Sequence, residues 1–206
     1  MAIITVVCDV VQNGYDTMKS IKHYLLTFIL FITLLCLIAA GIIYSGFYNI
    51  GADAPHVKPV YEVLKVLRQS SIEQHAKDIL VPDLDDPALI LKGAGQYAAM
   101  CTDCHLAPGK ATSEIRPGLY PQPPNLSLHR VVPNEVFWVI KHGVKMSAMP
   151  AWGFSHDDPT IWSMVAFLMK LPDLSPAQYQ ELVAKAPPDE DMGEGSSHEH
   201  KHNHTH

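Results

Sequence analysis

Five consecutive residues, Cys101-Thr102-Asp103-Cys104-His105, carry the sharpest chemistry in this chain of 206 residues. Two thiols at i and i+3 and an imidazole at i+4 share one face of a helical turn. Both thiols can then form thioethers to the two vinyl edges of one porphyrin, with the imidazole aimed at the iron from beneath. Cys-x-x-Cys-His is the attachment sequence of c-type haem. A thioredoxin-like dithiol uses the same Cys-x-x-Cys but needs a βαβ setting, which the surrounding pattern lacks. Half of a zinc site would need a second pair of ligands. The other two cysteines, Cys8 and Cys36, lie before and inside a long apolar run and do not supply it.

A haem iron also needs a sixth ligand or an open site. Met149 sits between two helical patterns and is followed by Pro150, which fixes the backbone there. Met146 is the runner-up, and His129, His142 or His156 would give a second nitrogen ligand. Met100, Met164 and Met169 fall at helical positions and read as core fillers. Lys141 and Lys145 flank the Met149 loop, either as a solvated pair or as a steering charge for an acidic partner. A second metal-binding pattern closes the chain. His198, His200, His202, His204 and His206 alternate with other residues, a spacing suited to labile copper, zinc or nickel as well as to a plain solvated end.

These groups must be positioned by elements of two very different kinds. Residues 24–44 read YLLTFILFITLLCLIAAGIIY, uninterrupted by charge, and a helix of about 20 residues crosses the hydrocarbon of a bilayer. Lys19, Lys22 and His23 precede the run and Asp53 is the first charge after it. The positive-inside rule places the N-terminus in the cytoplasm and the rest of the chain outside the cytoplasmic membrane, in the periplasm or extracellular space. The run is too long for a cleaved signal and lacks a good small-x-small site, so an uncleaved anchor is expected. Residues 1–17 hold two acids and no base, whereas Met18-Lys19-Ser20-Ile21-Lys22 suits a flank of the anchor and is a candidate translation start. The whole chain carries a net charge of −6, all of it after residue 46, which argues against a nucleic-acid binder.

After the anchor, 47–80 reads as a linker and an amphipathic helix with Val60, Val63, Leu64, Leu67, Ile72, Ala76 and Ile79 on one stripe, expected to pack on the following domain. Asp86-Pro87 starts a helix that runs through Gly93 and Tyr97 towards Cys101. Residues 106–132 are proline-rich and aperiodic, a long ordered loop. Asn134 is expected to cap a helix over 135–141 closed by Gly143, Asp158-Pro159 to start the next, and Ser175-Pro176 a short one to Ala184. Beyond Pro187 the composition is polar and acidic, as in disordered segments. No strand pattern persists.

At these residues the chain resembles class I c-type cytochromes, in particular bacterial domains akin to the haem-c subunits of cbb-type oxidases. The resemblance covers about residues 85–172. Gly93-x-x-x-Tyr97-x-x-x-Cys101 is similar to the family's first helix, and Ala166-Phe167-Leu168 to its last, which crosses the first closely at the glycine. Pro123-Pro124-Asn125-Leu126 is similar to the loop that lines the haem and offers a carbonyl to the proximal histidine. Met149-Pro150-Ala151-Trp152 is similar to the Met-Pro-x-aromatic ligand loop. The resemblance implies an all-α chain, with an N-terminal transmembrane helix followed by a class I cytochrome c domain of three or more helices around one covalent haem. Cys101 and Cys104 would hold the thioethers, His105 and Met149 the iron, with Tyr97, Pro123, Pro124 and Trp152 around it. The segments are then 1–23 cytoplasmic, 24–46 anchor, 47–80 linker, 81–186 haem domain and 187–206 tail. The expected function is single-electron transfer to or from membrane redox complexes, without catalytic turnover of its own. The alternatives are a subunit of a larger oxidase or dehydrogenase, or a metal-handling accessory protein using the histidine tail.

Overall fold

The computed structural model describes residues 2–188, with side chains from residue 18 onward. The chain divides into two units, one ending at Gly51 and the second beginning at Ala52. The described residues are helical and contain no strand, only an isolated bridge between Ala107 and Lys110.

The first unit is one helix, α1 (Ala2–Ser45). It begins well before the apolar run because nothing in residues 2–45 breaks it; the segment holds no proline. Gly46 ends it at φ +66°. Within α1, Met18–Ser45 is long and apolar enough to cross a membrane; an 18-residue stretch of it has a mean hydropathy of 2.9, and none of that stretch is buried. Its two threonines send their hydroxyls back to backbone carbonyls, Thr27 to His23 and Thr33 to Ile29, each at 2.8 Å. No hydroxyl donor of these threonines therefore needs water.

The second unit opens with α2 (Lys58–Ala76). The stripe expected to pack on the domain is only partly used. Ile72 and Ala76 are buried, whereas Val60, Val63, Leu64 and Leu67 stay exposed. The helix also stops at Ala76 rather than running to Ile79. The reason lies in Asn134, which does not cap its own helix. α5 (Pro133–His142) takes Val132 as its N-cap and Pro133 at its first position. The freed Asn134 amide donates instead to the Ala76 carbonyl at 2.9 Å, satisfying an end group of α2. His75 stacks on Trp138 beside it, ring centroids 5.4 Å apart.

The core is built between α3 (Pro87–Met100) and α6 (Asp158–Lys170). Asp86 caps α3 by accepting from the Ala88 N–H at 2.9 Å, with Pro87 at the first position, as the sequence led one to expect. For α6 the cap is Asp157, one residue earlier than the Asp158-Pro159 pair suggests. Its carboxylate accepts from the Thr160 N–H at 2.9 Å, and hydrogen bonding to the Thr160 side chain first, with this backbone bond second, holds its pKa below the usual carboxylate value. Ile161, Met164, Val165, Phe167 and Leu168 of α6 are buried against Ala94 and Tyr97 of α3. Phe137 of α5 stacks on Trp162 of α6 at 4.1 Å, and this fixes the third helix on the pair. α7 (Pro176–Lys185) begins at a capping box between Ser175 and Gln178 and buries Tyr179 near Phe167.

Candidate functional site

The Cys-x-x-Cys-His segment forms one short helical turn, α4 (Thr102–His105), entered directly from the end of α3. The His105 N–H donates to the Cys101 carbonyl at 2.8 Å, so the two thiols and the imidazole follow one another around a single turn. Neither cysteine is in a disulfide. Burial pushes the Cys101 thiol up to about 12, with Cys104 as the second cause. A redox-active dithiol needs the opposite, a thiol lowered by positive surroundings. The environment therefore speaks against the thioredoxin-like reading.

His105 is half-buried, and its Nδ1 lies 3.0 Å from the carbonyl oxygen of Pro124. A carbonyl only accepts, so Nδ1 carries the proton and Nε2 keeps its lone pair. Burial lowers the His105 pKa first; the Pro124 bond opposes that shift and the Arg116 charge adds to it. A neutral imidazole with Nε2 free and Nδ1–H anchored to a carbonyl is the donor arrangement a haem iron needs. The donor set therefore fits the group implied by the sequence. Leu126 N–H bonds the His105 carbonyl at 3.1 Å, which ties the proline-rich loop to the turn beneath it. Pro123 is half-buried in that loop and Pro124 is exposed.

Tyr97 serves the turn from below. It is 1% exposed, and its hydroxyl donates to the Leu106 carbonyl at 2.6 Å. Leu106 needs that support because it sits at φ +63°, an uncommon region for a non-glycine residue. Burial raises the Tyr97 pKa strongly, so the phenol stays a donor. Tyr97→Phe is expected to lower stability by about 1–3 kcal/mol, the usual cost of leaving a buried acceptor without its donor. A urea midpoint followed by tryptophan fluorescence checks this; an unchanged midpoint would mean the hydroxyl contributes nothing.

Arg116 escaped the sequence reading. Its Nη1 donates to the Cys104 carbonyl at 2.6 Å, which places a fixed positive charge beside the turn. An isolated arginine in an aperiodic loop offers no pattern by which to find it. Ser113 also bonds this turn, through the Asp103 carbonyl.

Met149 and Trp152 come from the loop between α5 and α6, and both are half-buried against the same core cluster that receives Cys101. Met146 is 94% exposed at φ +57°. His129 and His142 are exposed. His156 is half-buried; its Nδ1 lies 2.8 Å from Ser155 Oγ, while its buried Nε2 has no partner. Lys141 pairs with Asp158 at 2.6 Å on the surface, and Lys145 is exposed. His198, His200, His202, His204 and His206 lie outside the described residues. Among the described residues no group of three or more His, Cys, Asp or Glu is placed to hold a metal ion.

Residues 88–168 match the family model described as cytochrome C oxidase, cbb3-type, subunit III. No curated protein and no solved structure matches the chain.

Proposed function

We propose that this chain, whose residues 88–168 match the cbb3-type subunit III model, is a membrane-tethered class I c-type cytochrome that carries single electrons. Cys101 and Cys104 would hold one haem through thioethers, and His105 and Met149 would ligate its iron. The observation that carries the reading is the state of His105, neutral, half-buried and anchored through Nδ1 to Pro124. Bound there, haem c supplies a reversible one-electron iron couple. The chain's own residues do the rest. Pro124 holds the imidazole plane, Arg116 and Leu126 hold the backbone of the turn, and Met149 and Trp152 pack half-buried against the same core cluster. A histidine and a thioether sulfur as the protein ligands would favour the reduced iron relative to two nitrogen ligands.

In this reading α1 anchors the domain, with Lys19 and Lys22 on the cytoplasmic side and the haem domain outside. The segments 1–23, 24–46, 47–80, 81–186 and 187–206 then act as cytoplasmic end, anchor, linker, haem domain and tail. Tethering raises the effective concentration of the haem near membrane redox complexes. The description of the matched family, an oxidase subunit, supports a second reading, in which the chain is a fixed subunit of such a complex.

A pyridine haemochrome spectrum of the purified chain tests the proposal. The expected result is one haem per chain, with the spectrum of a porphyrin whose two vinyl groups are saturated, resistant to acid-acetone extraction. An extractable haem with free vinyls, or none, would overturn it.

A further inference from the structure

The first three turns of α2 carry an apolar face that no other described residue of the second unit covers. Val63 is 67% and Leu67 64% exposed, and Val60 and Leu64 stand beside them on the same side of the helix. The opposite side carries Lys65 and Gln69. Lys58, Lys65 and Arg68 outnumber Glu62 along this stretch, leaving it net basic. The far half of the helix is held fast by buried Ile72 and Ala76, by the Asn134 bond and by the His75–Trp138 stack. The exposed face therefore moves with the haem domain as one body.

We infer that this face docks on an anionic lipid surface, laying α2 along the membrane. The inference rests on the tether reading above. Residues 46–57 alone join α1 to α2, and a dozen residues reach about 40 Å at most. An anchored chain thus keeps α2 within reach of the headgroups at all times. An apolar stripe bordered by lysine and arginine is the pattern of a helix lying in the interface of an anionic bilayer. A second copy fits less well, because four side chains fall far short of the roughly 20–30 residues a side of a standard protein interface. The consequence is orientational. With α2 fixed to α5 and laid on the membrane, the haem domain is held at one attitude to the bilayer rather than tumbling on its linker.

The test uses the full haem-loaded chain with Cys8 and Cys36 replaced by serine, one chain per nanodisc of phosphatidylcholine and phosphatidylglycerol. A charged, water-soluble maleimide is reacted with Leu67→Cys or Gln69→Cys. The cysteine at 67 is expected to react at least about tenfold slower than that at 69, since only the first sits among acyl chains. The ratio should shrink in phosphatidylcholine alone. Equal rates in a chain that resists high-pH washing overturn the docking while leaving the tether intact. A chain that washes off overturns the tether and the docking together. Protection seen only in discs loaded with two chains assigns the face to a second copy and overturns the lipid inference, as does a ratio indifferent to phosphatidylglycerol.

Discussion

Gly93→Ala is expected to abolish the folded helical unit that begins at Ala52, or to leave it more than about 3 kcal/mol less stable, above the usual range for adding one methyl group to a packed core. A Cβ built on Gly93 would lie 1.9 Å from the Ser163 carbonyl oxygen and 2.5 Å from its carbon. Both atoms are backbone of α6, so no side-chain rotation relieves the clash; the axes of α3 and α6 must part. That crossing organises the core, because Tyr97 and Ala94 on one helix and Ile161, Met164 and Phe167 on the other are buried along it. Separating the helices also strips Tyr97 of its packing on Phe167 and exposes the hydroxyl bond it makes to the Leu106 carbonyl. Gly118→Ala is the matched control, since nothing lies within 4 Å of a Cβ there. Trp138, Trp152 and Trp162 all lie beyond Ala52, so tryptophan fluorescence in a urea titration reports this unit alone. A Gly93→Ala midpoint as close to wild type as that of Gly118→Ala would refute the close crossing.

The same glycine shows what was legible before any coordinates. The resemblance of Gly93-x-x-x-Tyr97-x-x-x-Cys101 to the family's first helix marked the close crossing, whereas Tyr97 was expected only around the haem and its support of Leu106 appears in the structure alone. Local signals of this kind read well wherever one side chain answers one backbone group, as Asp86 does for α3 and Ser175 for α7. They failed where a distant segment competed. Asn134 looks like a cap for its own helix, yet Pro133 already fills the first position and the amide is more useful to Ala76. Asp157 and Asp158 are equivalent in sequence; only the reach to the Thr160 N–H selects the former. The α2 stripe is continuous in sequence, but the domain surface ends after its last two turns, a length no periodicity encodes. The anchor's apolar run was plain, whereas the start of α1 was not, because apolar density marks a span and not the helix end beyond it. Arg116 was illegible for a further reason: its role depends on a loop that folds back onto Cys104, a long-range fact.

Met149→Leu is expected to remove the sulfur-to-iron charge-transfer band and lower the reduction potential, whereas Met146→Leu leaves both unchanged. The loop around Met149 is held from three sides. The Val144 N–H bonds the Met149 carbonyl at 3.1 Å, and the Met149 N–H donates to Ser147 Oγ at 3.2 Å. Gly143, at φ +66°, allows the Met149–Ala151 backbone to pass within 2.8 Å of where a Cβ would stand. These restraints act on the backbone and so survive the change to leucine, which is close to methionine in size. A fold-wide collapse is therefore not the expected cause of any spectral change, and an unaltered urea midpoint checks that point. With Met149 as the proposed ligand, losing the thioether would remove the group that favours the reduced iron, so the potential would fall with the band. Met146 points away, and its left-handed backbone gives leucine the same strain it gives methionine. The strongest competitor is His156, whose Nε2 is buried without a partner one turn beyond Trp152. If His156 were the ligand, the wild-type chain would show no sulfur band, and His156→Ala rather than Met149→Leu would change the spectrum. Band loss in Met146→Leu alone would move the ligand three residues earlier and require the loop to invert.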